Sequence, residues 1–273
     1  MQIVFSPHQI DYNNRAVAYG DGCFTTLCWK GGKLKDVSYH LSRLETSCQR
    51  LNILDFNAKA LSDFLLQEVT PALKDECVIK ILVSLSAGGR GYARPEKAST
   101  EVFISQHSMP EIYEKWRLQG VDLGLSPVQL AKQPLLAGIK HLNRLEQVLT
   151  KHSQVERIDD CLVTDTDGML VEASAANVFW RCGGQWFTPD LYYCGVNGII
   201  RTQLIEQLTL SNPVTLVRAK PQILQHAQEV VICNSVMGLV PVKSVFLGSE
   251  PLTHFDVRSS FFQQLNNALS KGK

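Results

Sequence analysis

The second half of this chain is punctuated as pairs of short apolar segments, and that punctuation restricts the fold more than any other feature. Residues 161–164 read as a strand, Asp165-Thr166-Asp167-Gly168 as a turn and residues 169–173 as the returning strand, while residues 177–180 and 185–187 flank Gly183-Gly184 in a second hairpin. Successive hairpins predict a barrel or a curved antiparallel sheet. Ahead of them the alternating residues 121–126 form a strand whose pattern Pro127 and Pro134 break, and behind them residues 229–233 read as a buried strand. Residues 259–269 close the chain as an amphipathic helix carrying Phe261, Phe262, Leu265 and Leu269.

The first half reads as a mixture. Strands are expected at residues 1–5, 16–19 and 23–29, with Gly31-Gly32 as a hairpin signal. A helix follows over residues 40–51, striped by Leu41, Leu44, Cys48 and Leu51, with Arg43 off the stripe as either a solvated side chain or an anion contact. A second helix, at residues 58–73, leads into the apolar strand 77–85, and a strand resumes at 100–105. Between those strands, glycines on both sides of Arg90 let a loop turn tightly and project one cation, as a solvated group or a substrate contact. The polar stretch 111–119 reads as a connector, which divides the chain into a small N-terminal α/β domain at 1–118 and a larger C-terminal domain at 119–273.

At 273 residues, 45% hydrophobic and 19% charged, the chain can bury two modest cores. A net charge of +1 gives no electrostatic reason to propose nucleic acid or an anionic membrane as partner, so a small molecule is the expected ligand. No apolar run is long enough for a membrane span and the N-terminus lacks a basic region followed by a long apolar one, which suggests a cytoplasmic protein. Eight cysteines without C-x-x-C pairs argue for buried, reduced thiols and against a metal site or a disulfide framework.

Three features carry chemistry. Lys140 ends the apolar approach Leu135-Leu136-Ala137-Gly138-Ile139 at the mouth of a helix, with Asn143 and Glu146 spaced like a capping box and Leu142, Leu145, Val148 and Leu149 as its apolar face. A lysine at a helix end is ordinarily solvated, so its role depends on partners elsewhere. Glu172 interrupts an apolar strand and is followed by the small residues Ala173-Ser174-Ala175-Ala176, which leave room for a flat ligand. Gly195-Val196-Asn197-Gly198-Ile199-Ile200-Arg201-Thr202 opens a helix at 203–208, where exposed N–H groups suit a phosphate, and Asn234-Ser235 at a strand tip offers further donors. An amine able to form an imine, a carboxylate and an anion-binding helix start are together what a pyridoxal phosphate enzyme needs.

These segments, with Tyr19-Gly20-Asp21-Gly22-Cys23-Phe24-Thr25-Thr26 and Gly88-Gly89-Arg90-Gly91-Tyr92, resemble the fold-type IV pyridoxal phosphate enzymes, and within them the bacterial aminodeoxychorismate lyases. The resemblance runs over nearly the whole chain. It implies an α+β, two-domain protomer, the first domain sandwich-like and the second a barrel-like β domain with helices, assembled as a homodimer. It also implies that Lys140 binds the cofactor covalently, that Glu172 pairs with the pyridine nitrogen, and that Arg43 contacts the phosphate with the N–H groups of Ile199 and Ile200 and the Asn234-Ser235 tip. The implied reaction is elimination of pyruvate from 4-amino-4-deoxychorismate to give 4-aminobenzoate, with Arg90 and Thr26 as candidates for handling the substrate. A fold-type IV aminotransferase acting on D-amino or branched-chain amino acids is the alternative. Such enzymes tend to carry an acidic residue soon after the aromatic of the first motif, where this chain has Thr25 and Thr26.

Overall fold

In the computed structural model, which describes residues 1–6, 9–208 and 213–271, the chain divides into one unit of Met1–Met109 with Ile139–Asn143 and another of Pro110–Gly138 with Arg144–Lys273. The first unit runs β1 (Gln2–Phe5), α1 (Arg15–Tyr19), β2 (Gly22–Lys30), β3 (Lys33–Leu34), α2 (Val37–Arg50), α3 (Ala58–Phe64), β4 (Cys77–Leu85) and β5 (Thr100–Ser108). Its sheet has the order β1-β5-β4-β2-β3, with β1 parallel to β5 and every other pair antiparallel. Alternation along the strands sends Leu27, Ile79, Ile81, Val83, Val102 and Ile104 to one face, where they bury against Leu44 and Cys48 of α2 and Leu61 of α3. Removing such a fully buried side chain, as in Leu27→Ala, costs about 2–5 kcal/mol.

Residues 16–19, expected as a strand, are helical. Asn14 Oδ1 accepts from Ala16 N–H at 2.8 Å to cap the start, and Gly20, at φ +63°, takes the left-handed conformation that ends the helix. The second expected helix is α3, continued by a π turn at Leu65–Val69 and a 3-10 turn at Thr70–Ala72.

The second unit contains α4 (Ile112–Gln119), β6 (Val121–Leu130), α5 (Leu145–His152), β7 (Asp160–Asp165), β8 (Leu170–Ala173), β9 (Asn177–Cys182), β10 (Gln185–Pro189), α6 (Ile199–Leu208), β11 (Thr215–Val217), β12 (Glu229–Asn234), β13 (Gly238–Phe246), β14 (Pro251–His254) and α7 (Ser260–Lys271). The connector expected at 111–119 is therefore a helix, α4, and a boundary drawn at 118/119 falls inside it, whereas the compact units part at Met109 and Pro110. Pro127 does not end β6: the strand runs on to Leu130 through a register shift between Leu125 and Gln129, where Ser126 Oγ accepts from Val128 N–H.

The second sheet has the order β11-β10-β9-β12-β13-β6-β7-β8, with β14 on β13. Both expected hairpins form, as β7 with β8 and β9 with β10. The central strands β9 and β12 are buried on both faces. Val178, Trp180, Val230 and Ile232 join one core, while Phe179, Val231 and Cys233 join another with Ile200 and Leu204 of α6 and Leu265 and Leu269 of α7. That two-sided burial is why the strands read as continuous apolar runs, and it sets α6 against the sheet. The architecture is α+β with two curled sheets.

Candidate active site

Lys140 is held first by its backbone. β3 covers the outer edge of β2 only at Trp29 and Lys30, and the segment around Lys140 occupies the part left open. Phe24 N–H donates to Lys140 O at 2.9 Å, Leu142 N–H donates to Gly22 O at 3.1 Å, and Cys23 forms an antiparallel bridge with His141. An uncovered edge leaves backbone groups without partners, so this addition satisfies the sheet and fixes the lysine together. Gly22 is needed for the close approach of β4 at this point, since a Cβ there would lie 2.2 Å from Val83 O.

The Lys140 Nζ sits 4.5 Å from the centroid of the Phe24 ring, and Lys80 Nζ sits 5.1 Å from the same centroid. Two ammonium groups around one ring make this end of the unit electropositive and suited to a carboxylate-bearing ligand. Thr26 is half-buried, two residues along β2 from Phe24 and opposite Lys80 in register. Arg43, on α2, donates to Thr25 Oγ1, and Thr25 in turn lies 2.6 Å from His40 Nδ1. Arg90 is exposed in the 88–93 loop. That loop is latched by the buried Arg15, whose guanidinium donates to Gly88 O, Tyr92 O and Ala93 O at 3.1–3.3 Å and to Asp21 Oδ2 at 2.7 Å, with Arg94 closing on the other side of the same carboxylate.

The capping box expected beside Lys140 does not form. Asn143 Nδ2 donates to Gly20 O at 3.1 Å and Glu146 Oε1 accepts from Ala131 N–H at 2.8 Å, so tertiary partners recruit both side chains. The helix α5 begins at Leu145 behind Arg144 without a side-chain cap. Nor is its apolar face buried within this chain, for Leu145, Val148 and Leu149 are 76%, 60% and 54% exposed.

In the second unit Glu172, at the end of β8, is 4% exposed, and its Oε2 accepts from Val196 N–H at 2.9 Å. The loop holding that amide is locked on every side. Gly138 N–H donates to Gly195 O at 2.9 Å, Asn197 N–H donates to Gly138 O at 3.0 Å, and Asn177 donates through Nδ2 to Val196 O at 2.8 Å while its Oδ1 accepts from Gly198 N–H at 3.1 Å. Neither glycine tolerates a side chain: a Cβ on Gly195 would lie 2.7 Å from Val171 Cγ1, and one on Gly198 would lie 2.2 Å from Asn177 Oδ1.

The helix this loop feeds starts at Ile199, earlier than residue 203, and Thr202 N–H is the first amide bonded back into the turn, to Gly198 O at 3.0 Å. The amides of Ile199 and Ile200 therefore belong to the unpaired first turn at the positive end of the helix dipole. Arg201 braces the start, donating to Asn197 Oδ1 at 2.8 Å and to Pro189 O at 3.0 Å. Asn177 pairs with Cys233 at the end of β12, which brings the Asn234-Ser235 tip to the same end of the sheet. Asn234 is occupied there: Nδ2 donates to Ala175 O at 3.0 Å and Oδ1 accepts from Val236 and Met237 N–H at 2.9 and 2.8 Å. It shapes the turn that presents Ser235.

Arg144 faces this cluster too. Burial lowers its guanidinium below the ordinary value, and the Glu172 and Glu146 carboxylates oppose that shift. Of the residues not singled out from the sequence, Thr25, His40, Lys80, Arg144, Asn177 and Arg201 hold or charge these two surfaces. His40 left a trace in its spacing, standing four residues before Leu44 on the buried stripe of its helix, and Thr25 and Arg201 lie within motifs already read.

One unit thus carries a lysine on a cation-rich sheet edge, and the other a buried carboxylate beside a helix start whose glycines pack tightly on Val171 and Asn177. The chain belongs to the class IV aminotransferase family, whose model matches residues 22–245. It is 35% identical over 240 residues to the aminodeoxychorismate lyase of Vibrio harveyi, covering 86% of this chain and 87% of that one. The crystal structure of 4-amino-4-deoxychorismate lyase from Pseudomonas aeruginosa superposes with a TM-score of 0.87 at 34% identity, covering 97% and 96% of the two chains. Branched-chain amino acid aminotransferase from Escherichia coli shares the fold, with a TM-score of 0.83 at 20% identity over 97% of this chain and 89% of that chain.

Proposed function

We propose that this chain is a pyridoxal phosphate-dependent aminodeoxychorismate lyase, releasing pyruvate from 4-amino-4-deoxychorismate to leave 4-aminobenzoate, a step of folate biosynthesis. The observation carrying the reading is the 35% identity to the Vibrio harveyi lyase over 86% of the chain, a span that includes most of the residues forming both surfaces. The residues fit the cofactor. Lys140 offers the amine that binds it, Glu172 a buried carboxylate for its pyridine nitrogen, and Arg43, the Ile199 and Ile200 amides and the Asn234-Ser235 tip the donors for its phosphate. Gly195 and Gly198 let the loop before Ile199 pack directly on Val171 and Asn177, where a Cβ would lie 2.7 and 2.2 Å from them.

When bound, pyridoxal phosphate supplies an electron-withdrawing ring that stabilises a carbanion next to the substrate's nitrogen. Lys140, which would hold the cofactor, would also be the base that takes the proton from the carbon bearing the substrate amine. Glu172 keeps a proton at the pyridine nitrogen throughout. Loss of the enolpyruvyl group makes the substrate ring aromatic, so deprotonation and positioning are the main work left to the protein. Arg90 and Thr26 handle the carboxylate-bearing parts of the substrate, and Lys80 supplies a further cation beside Phe24.

The protomer pairs with a second copy through α5, whose exposed Leu145, Val148 and Leu149 require cover. In the cytoplasm, where this reading places it, the eight free thiols stay reduced.

Purified protein incubated with aminodeoxychorismate is expected to release pyruvate and 4-aminobenzoate, and D-alanine or a branched-chain amino acid with 2-oxoglutarate to give little glutamate. Amino transfer without pyruvate release would replace this reading with the aminotransferase one. Borohydride reduction followed by peptide mapping is expected to mark Lys140, and a label on another lysine would refute its assignment.

A further inference from the structure

Alternation along β2 sends Cys23, Thr25 and Leu27 toward α2, into a layer that also holds Leu44 and Cys48. Two polar groups lie in this apolar layer, Thr25 at 0% and His40 at 1% exposure. They are bonded to each other at 2.6 Å, and the same Thr25 oxygen receives Arg43 Nη2.

Donor counting orders the protons. A guanidinium only donates, so Thr25 Oγ1 accepts from Arg43 through one lone pair and has its O–H free to donate to His40. With that O–H directed at the ring, His40 Nδ1 is the acceptor and the neutral ring carries its proton on Nε2; a proton on Nδ1 would reverse this bond. Burial pushes His40 well below its ordinary value, and the Arg43 charge acts in the same direction, which agrees with a neutral ring. The result is a one-way chain, Arg43 to Thr25 to His40, ending on a ring that packing holds still.

Resting on the reading of Arg43 as a phosphate contact, we propose that Thr25 and His40 are positioning residues that aim its guanidinium. An arginine free to rotate loses orientation on each binding event; one bonded to a fixed hydroxyl arrives oriented. Thr25→Val keeps the shape of the side chain and deletes the hydroxyl, whereas Thr25→Ser keeps the hydroxyl.

The test titrates the apoproteins with pyridoxal phosphate, and with pyridoxal as a phosphate-free control, for R43A, T25V, T25S and T25V/R43A. Loss of a hydrogen bond to a charged group corresponds to about tenfold to a hundredfold in affinity. The expectation is that T25V weakens pyridoxal phosphate by about that factor without changing pyridoxal, that T25S restores binding, and that T25V/R43A binds like R43A alone. If R43A weakens binding while T25V does not, or if the two losses multiply, Thr25 does not act through Arg43 and the proposal falls. If R43A has no effect, the phosphate-contact reading falls and takes this proposal with it. Nitrogen-15 shifts of His40 in the unsubstituted protein, assigned by comparison with H40Q, give a check independent of variant folding: a protonated Nδ1 overturns the chain, an unprotonated acceptor Nδ1 supports it.

Discussion

Substituting Gly198 by alanine tests whether the locked loop 195–198 is what holds the start of α6. Gly198 lies outside the left-handed region, so alanine meets no backbone obstacle. The obstacle is Asn177 Oδ1, 2.2 Å from the new Cβ. Asn177 must swing away, which releases the Gly198 N–H and the Val196 carbonyl it also binds. A buried group left without its partner costs about 1–3 kcal/mol, and forced repacking adds roughly 1–3 kcal/mol. With some relaxation, G198A should destabilise by about 2–4 kcal/mol. N177A alone should cost about 2–3 kcal/mol, because it abandons the same two backbone groups. In the N177A background the clash is gone, and G198A should add only the preference of a helix start for glycine over alanine, up to about 1 kcal/mol. Urea unfolding of the four apoproteins gives the coupling, expected at about 1–3 kcal/mol. Additive losses would refute the claim that glycine is required at 198 because of Asn177.

Further outcomes follow from the same geometry. E172Q should lower turnover with aminodeoxychorismate by about a hundredfold or more while the protein still folds and binds cofactor, since the amide cannot hold the pyridine proton as the carboxylate does. Burial alone would raise the Asp21 carboxyl, but hydrogen bonds and charge from Arg94 and Arg15 more than offset this and leave it below its ordinary value. Its folded value is therefore depressed, so the stability it contributes is present at neutral pH and is lost as pH falls below about 4 through that folded value. D21N should flatten the acid limb of the stability curve and open the 88–93 loop to trypsin after Arg90. The proposed pairing through α5 predicts a dimer in sedimentation velocity that L145D with L149D converts to monomer; a monomeric parent protein or an unchanged dimer would refute it.

Much of the fold was legible because each strand carries its own burial pattern. The run 77–85 and both second-half hairpins appear where apolar runs and turn residues put them, and the two-sided burial of β9 and β12 explains why those strands carried no alternation. The errors sit where local signals compete. Residues 16–19 are too few to show a period, and a cap at Asn14 with a left-handed Gly20 made them a helix. The stretch 111–119 looked like a connector because its helix has no buried residue.

The sequence by itself determined the chemical inventory: an amine at Lys140, a carboxylate at Glu172, a glycine-fed helix start, and sheets that must curl. Those follow from residue type and short-range spacing. Only the tertiary structure decided what holds them. Lys140 stands on an open edge of β2, Glu172 is bonded to a backbone amide 24 positions away, and Thr25 receives the Arg43 guanidinium. Asn143 and Glu146 had the spacing of a cap, yet each found a stronger claim from a backbone group distant in sequence. Hydrogen-bond partners are assigned by proximity after folding, and a spacing rule sees only neighbours within one helical turn.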